Sequence, residues 1–216
     1  MADFIPHEAP ADEVRGLPVM IPPKLVGRDQ PLAAIYSHLK ENKAVLVHGA
    51  SGVGKTALAA TLASAYTQQP GGVLWLQGHG DSLDALVVRI GRAFQDEDVT
   101  NTETPGAMIG AVTSVLAQSK PLIVLDGDYD AQTLLNFVSK CADGLPVLLT
   151  AEEAIDGPWE NIELEALDAA AATMLFSLLG GLGDAGVTDA SVKDLVETVE
   201  MLPLAIAVSA RAMRAN

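Results

Sequence analysis

Cysteine is nearly missing from this chain, with Cys141 standing alone in 216 residues. A lone thiol forms no internal disulfide, which excludes a small secreted scaffold held by bridges. Near a helix end it reads as a small buried apolar residue. Aromatic residues are scarce at 4%, so the core must be built from Ala, Leu, Val and Ile. Positive charge is also short: 13 Lys and Arg face 28 Asp and Glu, a net charge of -15. Such a surface repels the phosphate backbone, and no DNA or RNA contact is expected. No apolar run approaches the roughly 20 residues that span a bilayer, so no membrane partner is expected. The start Met1-Ala2-Asp3-Phe4 lacks the basic and apolar regions of a signal peptide. Together these absences predict a cytoplasmic protein. His7, His38 and His79 make no metal-ligand spacing, and His48 reads as a packed strand-end residue. No G-x-S-x-G nucleophile elbow is present.

What the chain does have is apolar residues, 49% of the total, enough for one large or two small domains with a real core. They fall in an alternating order. Apolar runs at 44–48, 73–76, 121–126 and 146–150, with a short one at 161–164, predict five strands. Between them, helices are predicted from Pro31 onward, around Leu58, Leu62 and Tyr66, after a cap at Asp81, after Thr104-Pro105, and around Leu134 and Val138. Continuously apolar strands alternating with helices predict an α/β chain with a parallel sheet covered on both faces. From about residue 165 the strands stop. Asp168 caps a further helix, Gly180, Gly181, Gly183 and Gly186 read as a flexible link, and helices follow near 191–200 and 203–214. The expected parts are an extended arm over 1–24, rich in proline, a nucleotide-binding domain over 25–165 and a helical subdomain over 166–216. Residues 95–104 read as a polar, mobile loop.

The strongest motif is Gly49-Ala50-Ser51-Gly52-Val53-Gly54-Lys55-Thr56, which fits G-x-x-x-x-G-K-[ST] without a mismatch. It lies between a predicted strand and a predicted helix, the setting a phosphate-binding loop needs. Its glycines let backbone amides wrap a polyphosphate, and the helix that follows offers its positive end to the same anion. Lys55 can reach the β- and γ-phosphates, and Thr56 offers a hydroxyl to Mg²⁺. Asp126 ends the third apolar run, 70 residues after Thr56, the Walker B pattern in which a carboxylate holds Mg²⁺ through its water shell. Asp128 and Asp130 are candidates for the catalytic carboxylate that orients water. Each also has a local alternative, and Asp130 could simply cap the next helix.

Leu25-Val26-Gly27-Arg28 lies upstream of the loop, and Met201-Leu202-Pro203-Leu204-Ala205 lies far downstream. With the two Walker segments in this order, residues 20–210 resemble the NB-ARC nucleotide-binding module of the STAND class of P-loop signalling ATPases. The resemblance implies a P-loop NTPase fold with strand order 5-1-4-3-2. It implies an adenine nucleotide, ATP or ADP, bordered by Val26 and Arg28, with Ala57 near base and ribose and Pro203 touching the adenine from the helical part. The absence of an N-K-x-D sequence for guanine agrees. It also implies a molecular switch, closed with ADP and opened by exchange for ATP, with an ATPase activity that is slow at most. The winged-helix and repeat-sensor domains that follow in such proteins are absent from this sequence. A fragment of a longer, self-assembling protein is therefore expected. Three departures stand out. Gly127 replaces the second acid of Walker B. Thr150-Ala151-Glu152 puts an acid where the family carries a γ-phosphate-sensing arginine. Met201 replaces the leading glycine of G-L-P-L-A. Two other classes compete. One is a motor or loader of the AAA type, which needs an arginine finger, whereas Arg89, Arg92, Arg211 and Arg214 lie in helices expected far from the loop. The other is a degenerate scaffold that binds nucleotide only for stability.

Overall fold

The computed structural model describes residues 16–17, 21–22, 24–94 and 104–215. Most of the arm expected over 1–24, and the loop expected over 95–104 except Thr104, lie outside the described residues.

Five strands form one parallel sheet: β1 (Ala44–His48), β2 (Val73–His79), β3 (Leu122–Asp128), β4 (Val147–Ala151) and β5 (Glu160–Glu163). Their order across the sheet is β2-β3-β4-β1-β5, the 5-1-4-3-2 arrangement expected. All neighbours are parallel, with Leu46 opposite Leu149 and Leu125 also opposite Leu149. The period of two in a strand then sorts side chains to two faces. Leu46, Leu74, Leu76, Ile123, Leu125, Val147 and Leu149 point to one face. There they meet α3 (Leu83–Phe94), α4 (Pro105–Ser119) and α5 (Ala131–Cys141). Val45, Val47, Val73, Trp75, Leu122, Val124 and Leu148 point to the other face, against α1 (Asp29–Lys40) and α2 (Lys55–Ser64). Each such aliphatic side chain, when fully buried, contributes about 1.5–3 kcal/mol. Aliphatic packing thus compensates for the scarcity of rings.

The chain after β5 is helical: α6 (Ala169–Gly180), α7 (Gly183–Thr188), α8 (Ala190–Thr198) and α9 (Pro203–Ala215). Ala172, Phe176, Val192, Val196, Ile206 and Ala210 make a third cluster of their own, which Val26 joins from the far end of the sequence. Two local expectations are corrected here. The glycines expected to form a flexible link are partly helical, since Gly183 opens α7 and Gly186 is buried within it. A Cβ at Gly186 would crowd Leu182 and Ser177, so packing overrides propensity. The helix expected after a cap at Asp81 is capped instead by Ser82, whose hydroxyl accepts from the Ala85 amide at 3.3 Å. Asp81 pairs with Arg89 at 2.6 Å. Among the described residues no helix is long and apolar enough to cross a membrane.

Candidate functional site

Sites in open parallel sheets form beyond the carboxyl ends of the strands, and the candidate residues gather there. β1 runs into the loop 49–54. Gly49, Gly52 and Gly54 take φ of 147°, 80° and 101°, a curvature that residues with a Cβ avoid. The first bond of α2 runs from the Leu58 amide to the Gly54 carbonyl at 3.0 Å. The amides of Lys55, Thr56 and Ala57 precede it, so they are the donors that a helix start leaves for an anion.

Lys55 closes over this loop. Its Nζ donates to the Gly49 carbonyl at 2.7 Å and to the Ala50 carbonyl at 3.2 Å. Burial pushes its ammonium down from the ordinary lysine value, against the charges of Glu152 and Asp126. Thr56 turns the other way, and its hydroxyl donates to Asp126 at 3.0 Å to Oδ1 and 3.1 Å to Oδ2. Asp126 is buried at the end of the apolar part of β3. From β4, the Thr150 hydroxyl donates to Asp126 Oδ1 at 2.8 Å and accepts from the Gly127 amide at 3.1 Å. A hydroxyl and a carboxylate side by side are hard oxygen donors, which suits Mg²⁺. Thr56 and Asp126 would hold that ion, and the rest of its shell would come from phosphate and water.

The acids past Asp126 separate. Asp128 is exposed, at the last position of β3, and faces the same space as Lys55, Thr56 and Asp126. Asp130 faces away and caps α5: its Oδ1 accepts from the Thr133 amide at 2.9 Å and its Oδ2 from the Thr133 hydroxyl at 2.6 Å. These bonds hold its carboxyl below the ordinary aspartate value. Gly127, the departure from a paired Walker B acid, has a steric cause. Its φ is 125°, and a Cβ there would strike the Gly78 carbonyl on β2. Gly78 in turn leaves room for the Tyr129 ring, whose hydroxyl donates to the Leu76 carbonyl at 2.9 Å. The strand ends are packed too closely for an acid at 127.

The remaining candidates border a cavity of about 640 Å³ between the loop and the C-terminal helices. Val26, Arg28, Ser51, Gly52, Val53, Gly54, Ala57 and Pro203 all line it. Arg28 is buried, and its guanidinium donates to the Val53 carbonyl at 3.0 Å. Burial pushes its pKa down, opposed by the charge of Asp168. Gly49 and Ala50 meet Lys55 instead of this cavity. Beyond Pro203, the helical wall was not anticipated: it is made by Leu175, Leu178 and Leu179 from α6, and Leu204, Ala207 and Arg211 from α9. Arg211 therefore borders the same cavity as the loop, whereas it was expected to lie far from the loop. The signal was available in the spacing of residues 203, 207 and 211, one helix face at i, i+4 and i+8.

A family model described as an AAA ATPase domain matches residues 24–198. No curated protein matches the chain. Among solved structures, the chain is similar to a STAND protein, a signal transduction ATPase with numerous domains and a tetratricopeptide repeat sensor, from Pyrococcus horikoshii. The TM-score is 0.64 at 18% identity, over 92% of this chain and 30% of that one. The Walker-type ATPase of Pyrococcus abyssi gives a TM-score of 0.65 at 11% identity, over 89% of this chain and 68% of that one. The ORC2 protein of Aeropyrum pernix, solved in ADPNP and ADP complexes, gives 0.55 at 13% identity, over 91% and 70%. The chain thus spans less than a third of the STAND protein's length. At these identities the likenesses concern the fold alone.

Proposed function

The chain belongs to the AAA ATPase domain family, and from that premise we propose that it binds ATP and ADP and works as a nucleotide-dependent switch. The phosphates lie on residues 49–56, and the base enters the apolar cavity bordered by Val26, Arg28, Ala57 and Pro203. The observation that carries this is the composition of that cavity, whose walls come from both the phosphate loop and helices α6 and α9. A ligand held by both walls stabilises their closed arrangement. It moves the population only through unequal affinity for the closed and open forms. We take residues 25–165 and 166–216 as the two bodies that open and close.

Mg²⁺ bound with the nucleotide would neutralise phosphate charge between Thr56 and Asp126. Lys55 leaves the carbonyls of Gly49 and Ala50 for phosphate oxygens. Asp128, exposed beside Asp126, is the better placed of the two candidate acids to orient water. Asp130 would first have to give up its cap. Hydrolysis is slow on this view. The leading Leu25-Val26-Gly27-Arg28 and trailing Leu202-Pro203-Leu204-Ala205 favour an NB-ARC-like module of a STAND protein within the broader family. Nucleotide-dependent self-assembly would then belong to the longer polypeptide.

Calorimetry and scattering test this together. ADP should bind and make the protein more compact than ATP does, with turnover of less than about one per minute. A motor of the AAA type would turn over quickly and need an arginine finger. Family membership accords with that alternative too, although Arg89 is already engaged by Asp81 and the Gln77 carbonyl. If neither ATP nor ADP binds in the presence of magnesium, the switch and the motor both fail.

A further inference from the structure

We infer that Glu152 is the specificity-determining residue that makes this site favour a nucleoside diphosphate over a triphosphate. The inference rests on the nucleotide-binding reading above and concerns the end of the phosphate chain. Glu152 follows Ala151, the last residue of β4, which pairs with His48 at the end of β1. Its carbonyl accepts from the Gly49 amide at 3.2 Å. The residue is thereby fixed to the first position of the phosphate loop. The glutamate's side chain is exposed, and among the described residues no ion pair engages it.

Its surroundings define what it meets. A second cavity, of about 580 Å³, opens at the carboxyl ends of β2, β3 and β4. It shares Lys55 and Thr56 with the apolar cavity. A phosphate chain that starts from a base in the apolar cavity passes those two residues and enters the second one. The first two phosphates meet the amides at the start of α2 and the Lys55 ammonium. A third projects past Lys55 into a space lined by Asp126, Asp128, Glu152 and Glu153. Asp126 is committed to Thr56 and Thr150. Glu152 is an uncommitted negative charge tied to the loop, and it also acts on Lys55. Like charges facing each other across this space repel, and because Glu152 is exposed the repulsion weakens as salt rises. The diphosphate escapes this repulsion because its last phosphate stops at the loop.

The test is titration calorimetry with Mg²⁺-ADP and Mg²⁺-ATP on the whole chain, comparing wild type, Glu152→Gln and Glu153→Gln. Wild type should bind ADP more tightly than ATP. Glu152→Gln should raise ATP affinity roughly tenfold, with ADP affinity held within about twofold, and the gain should shrink at high salt. Because the side chain is exposed, thermal unfolding should be unchanged. Equal strengthening of both nucleotides would overturn the inference, since Glu152 would then merely compete with phosphate for Lys55. No change in either, or the same gain from Glu153→Gln, would overturn it as well. In all these outcomes nucleotide binding itself stands. Absence of binding by wild type to either nucleotide would overturn both.

Discussion

The Leu204 amide donates to the Gly52 carbonyl at 3.1 Å. This bond joins the first turn of α9 to the middle of the phosphate loop. The adjacent carbonyl, that of Val53, accepts from Arg28 at 3.0 Å. The outer side of the loop is thus held from both ends of the chain, by a residue upstream of the sheet and by one beyond it. On the switch reading, a change in the loop on phosphate binding would act on both contacts at once, and so would reach the C-terminal helices.

Gly52→Ala tests that contact. The residue has φ of 80°, and an added Cβ would lie 3.2 Å from the Leu204 Cβ. The backbone strain and the crowding act together, and the fold should lose about 1–2 kcal/mol. Urea denaturation should show this loss, and ADP affinity should fall with it as α9 is pushed off the loop. An unchanged midpoint with unchanged affinity would mean that α9 yields freely and transmits nothing.

Lys55→Ala separates binding from folding. In the structure Lys55 satisfies only carbonyls of its own loop, and burial disfavours its charged form. Its removal should leave thermal stability nearly unchanged. Nucleotide affinity should drop roughly 10- to 150-fold, since a charge-assisted hydrogen bond contributes about 1.5–3 kcal/mol. Retained affinity in calorimetry would remove the phosphates from residues 49–56.

The fold was legible because its strongest signals are local. Strand runs such as Leu122-Ile123-Val124-Leu125 alternate between faces by simple period, and a phosphate loop must sit between a strand and a helix. Asp168 capping α6 was legible too, and its Oδ1 accepts from the Ala171 amide at 2.7 Å. What escaped depends on which partner the fold brings to each residue. The steric reason for Gly127 is Gly78, on a neighbouring strand. The choice of Ser82 over Asp81 as a cap follows from Arg89, which draws Asp81 away at 2.6 Å. Arg211 reaches the cavity because Ile206 and Ala210, on the adjoining face of α9, are anchored in the helical cluster. The first of these lies outside any local window, and the other two lie within two or three helical turns but depend on which neighbour each side chain meets in the fold.

Cys141 supplies a pH test of the sheet-facing core. It is 1% exposed, packed between α5 and the sheet, and burial pushes its thiol up from 9.0 to about 11. In that window the folded state keeps a proton that the unfolded state releases. By linkage this contribution is present below pH 9 and is lost as pH rises towards 11. Cys141→Ala should be less stable than wild type at pH 7, because it leaves a small cavity. The gap should narrow above pH 9 in denaturation experiments. A gap constant across that range would mean that the thiol ionises as readily inside the protein as outside.

Thr150 and Asp126 test the metal side of the site, and they predict different outcomes. Thr150→Val keeps the side chain's shape and removes its hydroxyl. The Gly127 amide then loses its acceptor, and Asp126 Oδ1 loses its buried donor. Unfolding should become easier by about 1–3 kcal/mol, the cost of leaving buried polar groups unpaired. Asp126→Ala removes instead the carboxylate that Thr56 and Thr150 share. ATP binding in magnesium should weaken more than ADP binding, because Thr56 and Asp126 would hold the ion that offsets the charge of the outer phosphates. The magnesium dependence of ATP affinity should disappear in this variant and persist in Thr150→Val. Were Asp126→Ala to weaken both nucleotides equally, with and without magnesium, Asp126 would be a packing residue of β3 and the ion would lie elsewhere.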